Sequence, residues 1–218
     1  HYPLRRQRQM CIRDSTNKTW DQVDPALGTN PISAYIPGTK HGTREVFDTK
    51  VIEAGCKDAG AYDLYFAASA GADEAAKKAD AVKGCHSIRT DGVSVDIDGD
   101  YTETLARISA NKTAIGVFGL SFYQNNTDKL KVATMNGVIP TVESVAAGEY
   151  PVSRPLFFYV KKAHIGVIPG LQEYIDFFVS DDMAGPNGPL AAYGLVPDPE
   201  LAATQAAVAA GTPMGPLN

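Results

Sequence analysis

Residues 36–47 read IPGTKHGTREVF, and there Thr39, Lys40, His41, Gly42, Thr43 and Arg44 gather hydroxyls, cations and an imidazole around one glycine. That set suits an oxyanion. The amide N–H groups of a first helical turn lack intrahelical acceptors, and the helix dipole adds roughly half a positive charge at that end. A phosphate or similar anion can settle there without a metal. Gly42 allows close backbone approach, Thr43 offers a hydroxyl donor and Arg44 a planar guanidinium fork. His41 can donate a ring N–H, Lys40 adds a point charge, and Thr39 brings a second hydroxyl to the turn. The same residues also make an ordinary helix start, with Thr43 as cap, Gly42 as turn residue and the two cations solvated. The loop by itself leaves both readings open.

Other chemistry finds less support. His41 could serve as nucleophile or general base in a phosphate-handling enzyme, but no carboxylate or metal ligand is spaced to assist it. His86 and His164 have no GxSxG elbow near them. Asp96, Asp98 and Asp100 in VDIDGD suggest a cation loop, yet Asn111 and Lys112 fall where an EF-hand needs its final glutamate. They read as a polar turn before a helix. The cysteines are Cys11, Cys56 and Cys85, with no CxxC and no metal-ligand spacing, so no metal or cofactor is expected. Cys56 and Cys85 either close a loop of about 30 residues or are two unrelated buried thiols.

The elements that must position the loop alternate between strand and helix. ISAYI (32–36) has strand alternation and leads into the loop; a helical pattern runs from Thr43 to Glu53, with Gly55 expected to end it. Thr19–Val23 reads as a capped short turn, residues 73–84 as an Ala/Lys helix ending at Gly84, and Asp100 as the cap of a helix presenting Tyr101, Leu105 and Ile108 on one face. The apolar runs AIGVF (114–118) and PLFFYV (155–160) are expected to be buried strands. TVESVAAG (141–148) is a short helix. Leu171, Tyr174, Ile175, Phe178 and Val179 form a helical stripe expected to pack on the LFFYV strand, and a last Ala-rich helix covers 199–210. This alternation implies an α/β class.

Composition narrows the partners. With 218 residues, 44% apolar and 21% charged, the chain suits a globular protein of one or two domains. A net charge of −5 argues against a general nucleic-acid surface. No apolar run approaches the ~18 residues of a membrane span. Residues 1–15, HYPLRRQRQMCIRDS, are unlike the rest: Arg5, Arg6, Arg8 and Arg13 crowd a stretch with no apolar core of a signal peptide. The stretch resembles translated adapter tails at the ends of assembled fragments. It is expected to be a non-native leader, with Cys11 set aside and the natural chain continuing upstream.

Four stretches in order resemble the phosphate-binding proteins of ABC transporters, the PstS type: KTWDQVDPAL (18–27), HGTREVF (41–47), AIGVFGLSFY (114–123) and YPVSRPLFFYVKKAH (150–164). The resemblance covers nearly everything from Lys18 to Asn218. It implies a type II periplasmic-binding-protein-like α/β fold of two lobes that close over phosphate by a hinge. One lobe would be near complete (16–138) and the other partial (139–218), with a half-lobe missing before Lys18. It implies a non-enzymatic, exported, periplasmic monomer that delivers inorganic phosphate to a membrane ABC permease. Gly42, Thr43 and Arg44 match the family loop, while His41 stands where a serine is usual; with Thr39 these form the expected ligand set. Export favours a Cys56–Cys85 disulfide. A binding protein for sulfate, molybdate or a phosphonate is the neighbouring alternative.

Overall fold

The computed structural model describes residues 17–213 and 215. The leader at 1–15 and Cys11 lie outside the described residues. The chain divides into two compact units, His1–Ile139 and Pro140–Asn218.

The first unit is built around a three-stranded parallel sheet of order β2-β1-β3, with β1 (Ala34–Pro37) central, β2 (Ser94–Ile97) on one side and β3 (Ile115–Gly116) on the other. Being central, β1 is paired at both edges, and Ala34 and Ile36, which share one face, are fully buried while Tyr35 on the other is half-buried. The register pairs Ile36 with Asp96 and Pro37 with Ile97. The strand expected over 114–118 is only two paired residues and half-buried, because it meets β1 alone, at Ala34 and Tyr35.

After β1 the chain turns into a continuous helical run: α1 (Gly42–Phe47), a π-helical stretch (Asp48–Glu53) and α2 (Ala54–Asp58). Phe47, Val51, Ile52 and Cys56 recur on its buried side and supply much of the core. Gly55 does not end this run. It is buried beside Cys56, and the chain turns instead at Gly60, whose φ of +72° suits a residue without Cβ. Then come α3 (Ala61–Ala68), which the sequence pattern had not marked, and α4 (Glu74–Cys85), capped by Asp73 accepting from the Ala76 amide at 2.8 Å. A disulfide joins Cys56 of α2 to Cys85 at the end of α4, across a sequence separation of 29. α5 (Tyr101–Ala110) starts at Asp100, whose carboxylate accepts from the Thr102 amide at 2.9 Å, and α6 (Leu120–Gln124) follows β3. The segment before β1 is tied down by Trp20, buried, whose indole donates to the Thr113 carbonyl at 2.8 Å.

The second unit is helical: α7 (Val142–Ala146) with a Thr141–Ser144 capping box, α8 (Leu171–Phe178), α9 (Asp181–Ala184), α10 (Pro189–Ala192) and α11 (Leu201–Ala209). The buried strand expected at 155–160 is absent. The segment carries no ladder pairing, and Leu156, Phe157 and Tyr159 are exposed, Phe157 by 59%. A strand needs a neighbour to exchange hydrogen bonds, and no other strand lies among the described residues of this unit. The α8 stripe still finds its partner without a strand: the Phe158 and Phe178 rings lie 4.4 Å apart, and Ile175 and Val179 are buried.

Candidate anion-binding site

The loop leaves the carboxyl end of the central strand, the position where open α/β sheets present ligand sites. Three backbone bonds shape it: the Gly38 amide donates to the Ile97 carbonyl at 2.8 Å, His41 to Gly38 at 3.0 Å, and Arg44 to His41 at 2.9 Å. Gly38 is required by a close approach, because a Cβ there would lie 2.0 Å from the Asp98 carboxylate and 3.2 Å from the Asp98 Cα. The helix cap is His41, not Thr43. Its backbone is extended, with φ −91° and ψ 131°, and its imidazole makes no capping hydrogen bond. Gly42 and Thr43 therefore occupy the first two helical positions, where amides have no intrahelical acceptor. Thr39, Lys40 and Gly42 are exposed, while His41 and Thr43 are half-buried.

Thr43 does not cap the helix; its hydroxyl meets the Tyr101 hydroxyl at 2.5 Å. The Tyr101 ring stacks near His41, with centroids 6.3 Å apart and planes at 28°, and packs on Phe122 and Phe118 at 5.3 and 5.8 Å. One side of the loop is thus walled by Tyr101 of α5, backed by Phe118 of the β3–α6 connection and Phe122 of α6.

Arg44 turns the other way and is buried, at 6% exposure. Its Nε donates to both Asp48 carboxylate oxygens at 2.8 and 3.0 Å; its Nη1 donates to the Pro37 carbonyl and to Asp96, each at 3.0 Å. The guanidinium clasps the last residue of β1, the helix it belongs to and the neighbouring strand β2. Asp96 is accordingly a strand residue paired with Arg44, rather than part of a polar turn. One cation facing two carboxylates leaves little surplus positive charge at that point, so the amides, the helix end, His41 and Lys40 are the groups there that could favour an anion without a paired counter-charge.

Of the residues singled out from the sequence, Thr39, His41, Gly42 and Thr43 share the loop and its helix start, while the Arg44 side chain lies beneath it. Asp48 is not singled out by the sequence, where Asp96 reads only as part of a polar turn and Tyr101 only as a residue on a helix face. Asp48 had a local signal, since an acid four residues after an arginine on a helix forms a pair. Tyr101 had none, being 58 residues from Thr43. Among the described residues no cluster of His, Cys, Asp or Glu could hold a metal ion, and no helix is long and apolar enough to cross a membrane.

A parallel sheet flanked by helices, with a loop of donors at the carboxyl end of its central strand, defines an α/β domain. The chain belongs to the family described as the PBP superfamily domain, whose model matches residues 12–182. It is 25% identical over 175 residues to the phosphate-binding protein PstS of Staphylococcus haemolyticus, a match spanning 78% of this chain and 44% of that protein. The phosphate-binding protein PstS of Staphylococcus aureus is 25% identical over 183 residues, spanning 82% of this chain and 45% of that one. The chain thus spans a little under half the length of these curated relatives. Its fold resembles the crystal structure of a possible phosphate-binding protein from Planctomyces limnophilus, with TM-score 0.59 and 21% identity, covering 95% of this chain and 63% of that one. The expected α/β binding-protein fold holds.

Proposed function

We propose that this chain is a PstS-type phosphate-binding protein, which captures inorganic phosphate outside the cytoplasm and delivers it, as a monomer, to a membrane ABC permease without catalysing a reaction. The observation that carries the reading is the helix start at His41–Gly42–Thr43. Its open amides sit at the carboxyl end of a buried central strand, in a chain similar to two proteins named for binding phosphate. Thr39, His41, Gly42 and Thr43 contact the anion, and Arg44 belongs to the site as the clasp that holds its frame. The first unit is the lobe bearing the ligand loop, and the second supplies part of the other lobe. The Cys56–Cys85 disulfide fits an oxidising compartment.

Titration calorimetry of the full chain with phosphate, and with sulfate as control, tests this. Saturable heat with phosphate and none with sulfate is the expected result. Equal heats would move the reading to another oxyanion, and no heat with either would overturn it.

A further inference from the structure

We infer that Tyr101 is a positioning residue for the anion loop: its phenol orients the Thr43 hydroxyl so that the Thr43 proton is presented to the ligand. This rests on the phosphate reading above. Tyr101 is the first residue of α5, fixed by the Asp100 cap and held by Phe118 and Phe122, so its placement does not depend on its own hydroxyl. That hydroxyl reaches Thr43 Oγ1, one residue past the glycine at the helix start.

Two proton orders are possible between a pair of hydroxyls, and they have opposite consequences. If Thr43 donates to the phenol, its proton is consumed and the loop loses a donor. If the phenol donates to Thr43 Oγ1, the Thr43 proton is left for the anion. A phenol is a more acidic hydroxyl than an aliphatic alcohol and so the better donor. A hydroxyl that accepts one bond also donates a second more strongly. An anion beside Thr43 selects the second order, giving a relay from Tyr101 to Thr43 to the ligand. The ring has a further role beside His41, where it limits the positions the imidazole can take.

Y101F removes the phenol and keeps the ring. Titration calorimetry should show phosphate binding about fivefold to tenfold weaker in the full-length Y101F chain than in the parent, with the melting temperature retained. T43V should weaken binding at least as much, and Y101F added to T43V should cost nothing more, because Tyr101 acts through Thr43. An independent readout leaves Tyr101 intact: phosphate should perturb the tyrosine absorbance of the parent, and that change should vanish in T43V. If the parent binds phosphate and Y101F binds equally well, the assignment is overturned alone. It is likewise overturned if Y101F weakens binding by the same factor in the T43V background, or if phosphate leaves tyrosine absorbance unchanged. If the parent binds no phosphate, the proposed function falls and this assignment falls with it.

Discussion

Arg44→Ala separates two roles that one arginine beside an anion loop can play. As a ligand group its loss would cost affinity, about 1.5–3 kcal/mol for a charge-assisted contact. As the clasp described above, its loss should cost stability first. Removing one partner of a buried pair costs about 3–5 kcal/mol, since the other charge stays desolvated. Here the orphaned groups are uneven: the Asp48 side chain is 16% exposed but that of Asp96 is 48% exposed, so Asp96 can rehydrate and contributes little. The Pro37 carbonyl, left without its donor, adds about 1 kcal/mol. The expectation is therefore about 3 kcal/mol, the lower end of the range. Urea unfolding of the parent and Arg44→Ala measures it, and Asp96→Asn provides the counter-test. If Arg44 is a clasp, Asp96→Asn costs under about 1 kcal/mol and leaves phosphate affinity unchanged. If Arg44 is a ligand group restrained by Asp96, the same substitution frees it and tightens binding. An Arg44→Ala chain with an unchanged urea midpoint would refute the clasp.

Reducing the Cys56–Cys85 bond, or replacing Cys85 with Ala, should lower stability by about 3.5 kcal/mol for a loop of 29 residues, read as a shift in the urea midpoint with and without reductant. Hydrogen bonds from Arg89 and then Lys18 hold the Asp91 carboxyl well below its ordinary value of 3.8. A carboxyl whose folded pKa lies below its unfolded one stabilises the fold above about pH 4, and that contribution is lost as pH falls further. Thermal unfolding between pH 5 and pH 3 should therefore show a fall in melting temperature that Asp91→Asn reduces. Gly38→Ala should cost about 1 kcal/mol by pushing against Asp98, and pairing it with Asp98→Ala should recover part of that, measured by the same unfolding assay.

The parts of the fold that the sequence made legible are those whose cause is local. Asp73 and Asp100 begin helices because an acidic side chain can satisfy the next turn's amides, and both are seen doing so. The stripe from Leu171 to Val179 is a helix because its period is helical. The HGTR loop could be seen for the same reason, since a strand, a turn and a helix start lie within twelve residues. What was not legible depends on partners supplied from elsewhere. PLFFYV has strand composition, but composition cannot provide the neighbour a strand requires, so it lies open, with Phe158 on α8. Gly55 looked like a helix stop because glycine usually costs a helix about 1 kcal/mol. A run that buries Phe47, Val51, Ile52 and Cys56 recovers more than that, and the helix continues.

Arg44 carries this distinction into the site itself. From its neighbours in sequence it is one more cation at a helix start, suited to hold an anion. Its direction is set by Asp96, 52 residues away on β2, and by a carbonyl of the strand before it. The register that pairs Ile36 with Asp96 puts the carboxylate on the strand beside the root of the loop, where the guanidinium can join it to Asp48. The loop's most basic residue is thereby spent on fixing the turn. On the proposed reading, recognition is left to groups whose value depends on that fixed turn: two open amides, the Thr39 and Thr43 hydroxyls and the His41 ring. An anion site of this kind gains by preorganisation rather than by net charge. Its affinity should accordingly be more sensitive to substitutions that loosen the frame than to the charge at Lys40, which is exposed at the rim.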